Sequence, residues 1–182
     1  MGSSVRKTSD KIKRLLKNTI ELNPSVECKE IIPQVARETL RSKKTEEYFA
    51  DKDFAILAGS GFACFKKAKE IGIDKFLLEY SIQYDNLTVV EVQKIIESIL
   101  NNIEDENGEI ESALILAAFK SAMTSMLLNK LEDPTQFLNL FCERFITLII
   151  REEASEVLIS MFKDASTESL NNNIEEFSTN YV

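Results

Sequence analysis

Apolar side chains recur every three or four residues along most of this chain, which is the spacing that predicts amphipathic helices. In the first such stretch, residues 8–22, the side chains of Ile12, Leu15 and Leu16 fall on one side. The whole chain has only five glycines and three prolines, fewer turn residues than a β-rich domain of this size needs. We therefore predict an all-α fold, a single-domain bundle of about seven or eight helices.

Capping residues mark several predicted helix ends. Thr88 followed by Glu91 matches a capping box, in which each side chain accepts a hydrogen bond from the other residue's backbone N–H. Asp53 stands directly before the apolar stretch at residues 54–71 and is predicted to cap it, while Gly72 follows its last turn.

Two regions interrupt the helical pattern. The polar patch at residues 151–153 is predicted to bend or break the helix that begins at Pro134. Residues 1–7 and the tail from residue 165 to residue 182 are rich in small and polar side chains, and we predict that both are disordered.

Two parts of the chain resemble each other. Ile56-Leu57-Ala58 matches Ile115-Leu116-Ala117 at an offset of 59 residues, and a second set of apolar positions matches at an offset of 61. The members of that set are Phe76, Leu77, Tyr80, Tyr84 and Leu87, which pair in order with Phe137, Leu138, Phe141, Phe145 and Leu148. Such similarity predicts a duplicated helical unit, although two unrelated amphipathic helices also share this periodicity.

Charge is divided unevenly along the chain. Residues 1–44 carry eleven Lys/Arg and five Asp/Glu, a net charge of +6, whereas residues 45–182 carry eleven and twenty-five, a net charge of −14. We accordingly divide the chain into a basic helical segment at residues 1–44, an acidic core at residues 45–164 and the tail. The basic segment is either a contact element for a partner or is docked on the acidic core.

The absence of histidine from the chain excludes several kinds of catalytic site. Without an imidazole there is no Ser-His-Asp or Cys-His nucleophilic machinery and no HExxH zinc site. Oxygen ligands for Mg²⁺ remain, and the pairs Glu27/Glu30 and Glu153/Glu156 have a suitable spacing. They lack the accompanying motif of a metal-dependent helical enzyme, so we interpret them as solvated surface. The chain is predicted not to be an enzyme and to need no metal and no cofactor.

Two further motifs have simpler structural interpretations. In the turn that ends at Gly108, the positions that an EF-hand requires for its first and last ligands hold Ile103 and Leu114, which favours a helix C-cap. The sequence Gly59-Ser60-Gly61 resembles a phosphate-binding loop only superficially, and it is better explained by close packing of a neighbouring helix. Lys67 is close enough in sequence to lower the pKa of the Cys64 thiol, but no base accompanies this cysteine.

The chain has the features of a cytoplasmic protein. Its three cysteines are widely spaced and favour buried free thiols over disulfides. The longest apolar run, residues 113–119, is much shorter than the ~20 residues that span a bilayer, and the charged N-terminus does not resemble a signal peptide.

The leading functional hypothesis is a non-enzymatic protein–protein interaction or regulatory module. Its contact element would be the basic helix at residues 8–22, through Lys11, Lys13, Arg14 and Lys17. A protein partner is favoured. Nucleic acid is a weaker alternative because the helix has no aromatic side chain, and homo-oligomerisation is left open.

Two other hypotheses belong to different functional classes. The first is a small-molecule sensor with an aromatic-lined apolar pocket, for which the candidate residues are Phe76, Tyr80, Phe119, Phe141 and Phe145. The second is a helical enzyme that uses carboxylates and Mg²⁺.

Overall fold

The computed structural model describes residues 3–82, 87–162 and 166–182, with side chains from Ser9 onward. Every regular element in these ranges is an α-helix, which confirms the all-α prediction. There are nine helices in this part of the chain, slightly more than predicted: α1 (Ser3–Leu22), α2 (Cys28–Leu40), α3 (Lys43–Phe49), α4 (Lys52–Ile71), α5 (Ile73–Leu78), α6 (Val89–Asn107), α7 (Ala113–Leu128), α8 (Pro134–Met161) and α9 (Thr167–Tyr181).

Local capping explains several of these boundaries. The capping box at the start of α6 is confirmed, since the Glu91 N–H donates to Thr88 Oγ1 and the Thr88 N–H donates to Glu91 Oε2, at 3.4 and 3.2 Å. Gly72 and Gly108 end α4 and α6 with φ angles of 86° and 88°. These angles lie in a region that residues with a Cβ rarely adopt, so the interpretation of Gly108 as a C-cap is also confirmed.

The predicted role of Asp53 is wrong. Asp51 caps α4, because its Oδ1 accepts the N–H of Asp53 at 2.9 Å. Asp53 lies in the first turn, is buried, and accepts the N–H groups of Glu111 and Ser112 on Oδ2, each at 2.9 Å. Both aspartates precede the same apolar stretch, so the sequence does not reveal which of them caps α4 and which binds the entrance to α7.

The chain divides into two compact units, one formed by residues 1–50 and 146–182 and the other by residues 51–145. This division differs from the boundaries drawn from charge, because both ends of the chain contribute to the first unit. We call them unit 1 and unit 2. The core of unit 1 joins side chains of α1, α2, α8 and α9: Ile12, Leu16, Ile31, Ile32, Val35, Ala36, Ile146, Ile150, Ala154, Val157, Leu158, Leu170 and Ile174.

Three expectations about the helical pattern are corrected within unit 1. Helix α1 already begins at Ser3, and α8 continues through residues 151–153 without a break. The prediction of a disordered tail is wrong, because α9 packs against α2 and buries Leu170 and Ile174. Its apolar stripe is narrow, so the average polarity of the segment concealed a helix that is stabilised by packing.

Aromatic rings dominate the core of unit 2. Phe54 stacks on Phe141 and Phe145 with ring centroids 5.1 and 5.2 Å apart. Phe137 lies between Phe65 and Phe141, at 5.4 and 5.9 Å. Offset contacts of this kind add to the burial of the rings themselves, and they hold the first part of α8 against α4.

The proposed internal duplication stays a prediction. Its second copy falls within α8, which has 28 residues, whereas the corresponding first copy falls around α5, which has six. Tyr84, one of the matched positions, lies outside the described residues.

Close packing at Gly61 gives a matched pair of substitutions. A Cβ at Gly61 would lie 2.1 Å from Cζ of Phe137, whose ring is held by its stacked neighbours, whereas a Cβ at Gly59 would meet nothing within 4 Å. Gly61→Ala is therefore expected to lower the free energy of unfolding by about 1–3 kcal/mol through overpacking. Gly59→Ala should raise it by up to about 1 kcal/mol through helix propensity. Urea unfolding measures both changes, and equal shifts in the same direction would contradict this account.

The buried carboxylate of Asp53 is expected to be important for the stability of unit 2. Asp53→Ala leaves the N–H groups of Glu111 and Ser112 without their acceptor, so a loss of about 1–3 kcal/mol is expected in thermal or urea unfolding. Asp105→Ala, at an exposed position on α6, removes the same group and should change the unfolding free energy by less than about 0.5 kcal/mol. A loss at position 53 no larger than that at position 105 would show that the carboxylate does not stabilise this connection.

Candidate interaction surface

Helix α1 turns one side towards the core of unit 1 and the opposite side towards solvent. Ile12 and Leu16 are fully buried, and Leu15 packs beside them. Lys13 and Arg14 lie on the other side and are exposed. The described part of α1 is thus an integral helix of unit 1, and its buried side fixes the direction in which the cationic side points.

The four predicted contact residues, Lys11, Lys13, Arg14 and Lys17, are all exposed. Lys11 approaches Glu38 at 3.6 Å and Lys17 approaches Glu21 at 4.0 Å, but the two lysine side chains keep 68% and 72% of their exposure. Ion pairs this long and this exposed contribute little and are easily exchanged. Lys13 and Arg14 have no ion pair among the described side chains of unit 1.

Other cations of the basic segment are paired with glutamates that are close to them in the sequence. Lys29 meets Glu27 at 2.8 Å and Lys43 meets Glu47 at 3.7 Å, so both pairs remain within the first 50 residues. Lys44 instead reaches α8. Among the ion pairs of the described side chains, Lys44 is therefore the one cation of residues 1–44 that pairs with a residue of α8 or α9.

Lys44 forms a largely buried ion pair with Glu153, so the interpretation of Glu153 as solvated surface is wrong. The lysine side chain is 19% exposed and the glutamate side chain 2% exposed, and the ammonium also lies 5.5 Å above the ring of Tyr48. Burial lowers the pKa of Lys44, but the hydrogen bond and the charge of Glu153, together with Tyr48, outweigh burial and leave the pKa raised. This lysine fastens α3 to α8 and is not available to a partner.

A groove opens at the C-terminal end of α1. Its volume is about 660 Å³, and its apolar lining comes from Ile20, Pro24, Val26, Met161, Phe162 and Leu170. Lys29 and Asn173 border this groove and also line a second depression of about 470 Å³ between α2 and α9. The two depressions therefore adjoin each other.

The residues proposed for an aromatic ligand pocket lie in unit 2 and pack against one another. Phe119 meets Phe141 edge-on at 6.1 Å, and Phe141 stacks on Phe145 at 6.4 Å, with all three rings fully buried. Phe76 contacts the half-buried Tyr80 at 5.4 Å. The phenylalanine rings fill the core, whereas Tyr80 lines a depression of about 440 Å³ in unit 2 together with polar side chains that include Glu79 and Lys94. None of the five predicted pocket residues lines the groove of unit 1.

The thiols singled out in the sequence stay protonated, and the glutamates have structural roles. Burial raises the pKa of the Cys64 thiol to about 12, which outweighs the lowering by Lys67, and burial also raises the pKa of Cys28 and Cys142. Glu27 and Glu30 form the capping box of α2. No three Cys, Asp or Glu side chains in the described ranges come together as a metal site.

The groove was not predicted from the sequence, although its lining comes from ordinary apolar residues. Val26 lies in a short connection, whereas Met161, which ends α8, and Phe162, which follows it, come more than a hundred residues later. The only local signal was the interruption of the helical pattern at Pro24. Nothing in the sequence brings these segments together.

No helix in the described part of the chain is long and apolar enough to cross a membrane. Comparison with protein-family models, with curated proteins and with solved structures finds no match to this chain. Its function must therefore be argued from the geometry of these surfaces.

The Lys44–Glu153 pair gives a prediction with a defined pH dependence. Lys44→Met leaves the Glu153 carboxylate buried without its partner, and a loss of about 3 kcal/mol in unfolding free energy is expected. Because the pKa of Lys44 is raised above its ordinary value of 10.5 on folding, the pair contributes fully below that value. Its contribution disappears as the pH rises through the higher pKa of the folded state.

The measurement is urea unfolding of wild type and Lys44→Met from pH 7 to pH 11. The difference between them should be constant up to about pH 10 and then shrink. Lys43→Met is the matched control, because the Lys43 side chain is 82% exposed in its pair with Glu47 and should matter by less than about 0.5 kcal/mol. A Lys44 effect equal to that of Lys43 would show that the buried pair does not stabilise unit 1.

Proposed function

We propose that this chain is a non-enzymatic interaction module that binds an acidic surface of a protein partner through the cationic side of α1. The observation that carries the proposal is the exposure of Lys13 and Arg14, without ion pairs in the described part of unit 1, on a helix whose orientation is fixed by Ile12 and Leu16. Charges fixed in this way can steer and orient an oppositely charged partner.

A protein partner agrees better with this surface than nucleic acid or a membrane. The sequence of α1 contains no Phe, Tyr or Trp, so the helix offers no ring for base stacking or for insertion at a lipid interface. Asp10 and Glu21 are exposed on the same helix, and they would repel a continuous row of phosphates. A protein surface presents both signs of charge, so it can avoid such repulsion.

The side chains usually used in catalysis favour a non-enzymatic role. The chain contains no histidine, and burial keeps the pKa of all three thiols above the ordinary value. Glu153 is engaged with Lys44, and Asp53 with the entrance to α7. No proton-transfer pair remains among the groups that the sequence singled out.

Charge reversal tests the proposal better than deletion of α1, because deletion would remove the buried Ile12 and Leu16. Lys13→Glu with Arg14→Glu is expected to weaken binding to immobilised poly-glutamate by about tenfold or more, since attraction becomes repulsion. The control is Lys66→Glu with Lys120→Glu, which changes two exposed cations of unit 2 that have no ion pair among its described side chains and gives the same net charge. Biolayer interferometry at low and high salt measures all three proteins.

The same three proteins are then used to isolate partners from a cell extract. Acidic proteins retained by wild type and by the control, but lost from the Lys13/Arg14 variant, are the expected result. Equal retention by all three would remove α1 as the contact element. If the protein binds duplex DNA more strongly than poly-glutamate, and this binding depends on Lys13, the partner is a nucleic acid and not a protein.

A further inference from the structure

We propose that the groove at the end of α1 receives the apolar side chains of a partner's acidic amphipathic helix. This inference rests on the proposed function, because it names the kind of partner segment that the cationic side of α1 would meet. It adds a second element of recognition, an apolar one, which poly-glutamate cannot occupy.

The groove has the volume of a binding cleft, and its apolar residues lie among polar ones, which are Glu27, Lys29, Ser169 and Asn173. Its volume of about 660 Å³ lies within the range of roughly 300–1,000 Å³ that is typical of binding clefts. Pro24 lines this groove and is exposed, so part of the apolar lining is open to a partner.

The cations lie in register with this groove. Lys13, Lys17 and Ile20 are spaced i, i+4 and i+7, so they follow one side of α1. About 10 Å of helix separates Lys13 from Ile20. An occupant that places apolar side chains beside Ile20 therefore brings residues one or two turns away close to Lys17 and Lys13. Acidic residues at those positions would complement the surface.

The combined length of the groove and the second depression favours a helix over a compact small molecule. Past Lys29 and Asn173 the groove adjoins the second depression, where Pro33 and Arg37 of α2 face Phe177 of α9. Lys29, Pro33 and Arg37 are spaced i, i+4 and i+8, so this wall is about 12 Å long. A helix with apolar residues at i, i+3, i+4 and i+7 fits a trough between two helices.

The second depression carries one exposed charge of each sign. Arg37 and Glu176 both line it, and neither has an ion pair among the described side chains. Glu27, which borders the first groove, is engaged with Lys29 at 2.8 Å. The acidic character of the occupant therefore rests on Lys13 and Lys17 of α1, and Arg37 is a further cation for an acidic residue to meet.

The experiment uses two display libraries of 14-residue peptides. Both have apolar residues at i, i+3, i+4 and i+7, and the other positions are acidic in one library and basic in the other. The full chain should enrich the acidic library. Enrichment of neither library, or of the basic one, would overturn the proposal.

Enriched peptides are then measured by fluorescence anisotropy against variants of the groove. Val26→Asp places a charge in the apolar lining and should weaken binding by about tenfold or more. Pro24→Asp, at an exposed position of the lining, is a second variant that leaves the core untouched and should also weaken binding. Val90→Asp is the matched control, since Val90 is exposed on α6 in unit 2, and binding should be unchanged. Thermal unfolding confirms that each variant is folded.

The outcomes separate this inference from the proposed function. If peptide binding is weakened by Lys13→Glu with Arg14→Glu but not by Val26→Asp or Pro24→Asp, the groove is not the binding site and the cationic surface stays in place. If only the groove variants weaken peptide binding, the cationic surface does not take part and the occupant need not be acidic. A dimer in sedimentation that Val26→Asp dissociates would identify a second copy of this chain as the occupant instead.

Discussion

The burial of Ile12 and Leu16 is the constraint on which the functional surfaces of unit 1 depend. Fully burying an aliphatic side chain is worth about 1.5–3 kcal/mol, and two such residues one turn apart fix the rotation of α1 about its axis. Once that rotation is set, Lys13 and Arg14 must point to solvent, and Ile20 must face the groove. The cationic side and the apolar groove are therefore two consequences of the same packing.

Polar side chains then tie together segments that are far apart in sequence. Asp53 joins the first turn of α4 to the residues that precede α7, and Lys44 joins α3 to Glu153 on α8. Each contact is made by a buried carboxylate, so its loss leaves a donor or a charge without its partner. Within each unit, apolar stripes select the helices that pack, and these few polar contacts select how their ends are joined.

The helical architecture could be predicted because it depends on local patterns. The stripes of α1 and α6, the capping box of Thr88 and Glu91, and the end of α6 at Gly108 are all properties of neighbouring residues. The helix α9 was missed because three or four apolar residues in a polar segment are stabilised only when α2 covers them. The exposure of the α1 lysines followed from periodicity, whereas the groove did not, since its walls come from both ends of the chain.

The two features of the proposed surface have different physical consequences for binding. Attraction between charges extends over about a Debye length, ~8 Å at physiological salt, so the α1 cations can speed and orient an encounter before contact. Apolar burial acts only on contact, and it is insensitive to the screening that weakens the charges. Poly-glutamate would report the first feature alone, whereas an amphipathic helix engages both. A partner selected by charge alone would exchange rapidly with any acidic surface. An occupant anchored beside Pro24 and Val26 would instead be held in one register, because only there do its apolar and acidic residues meet their counterparts together.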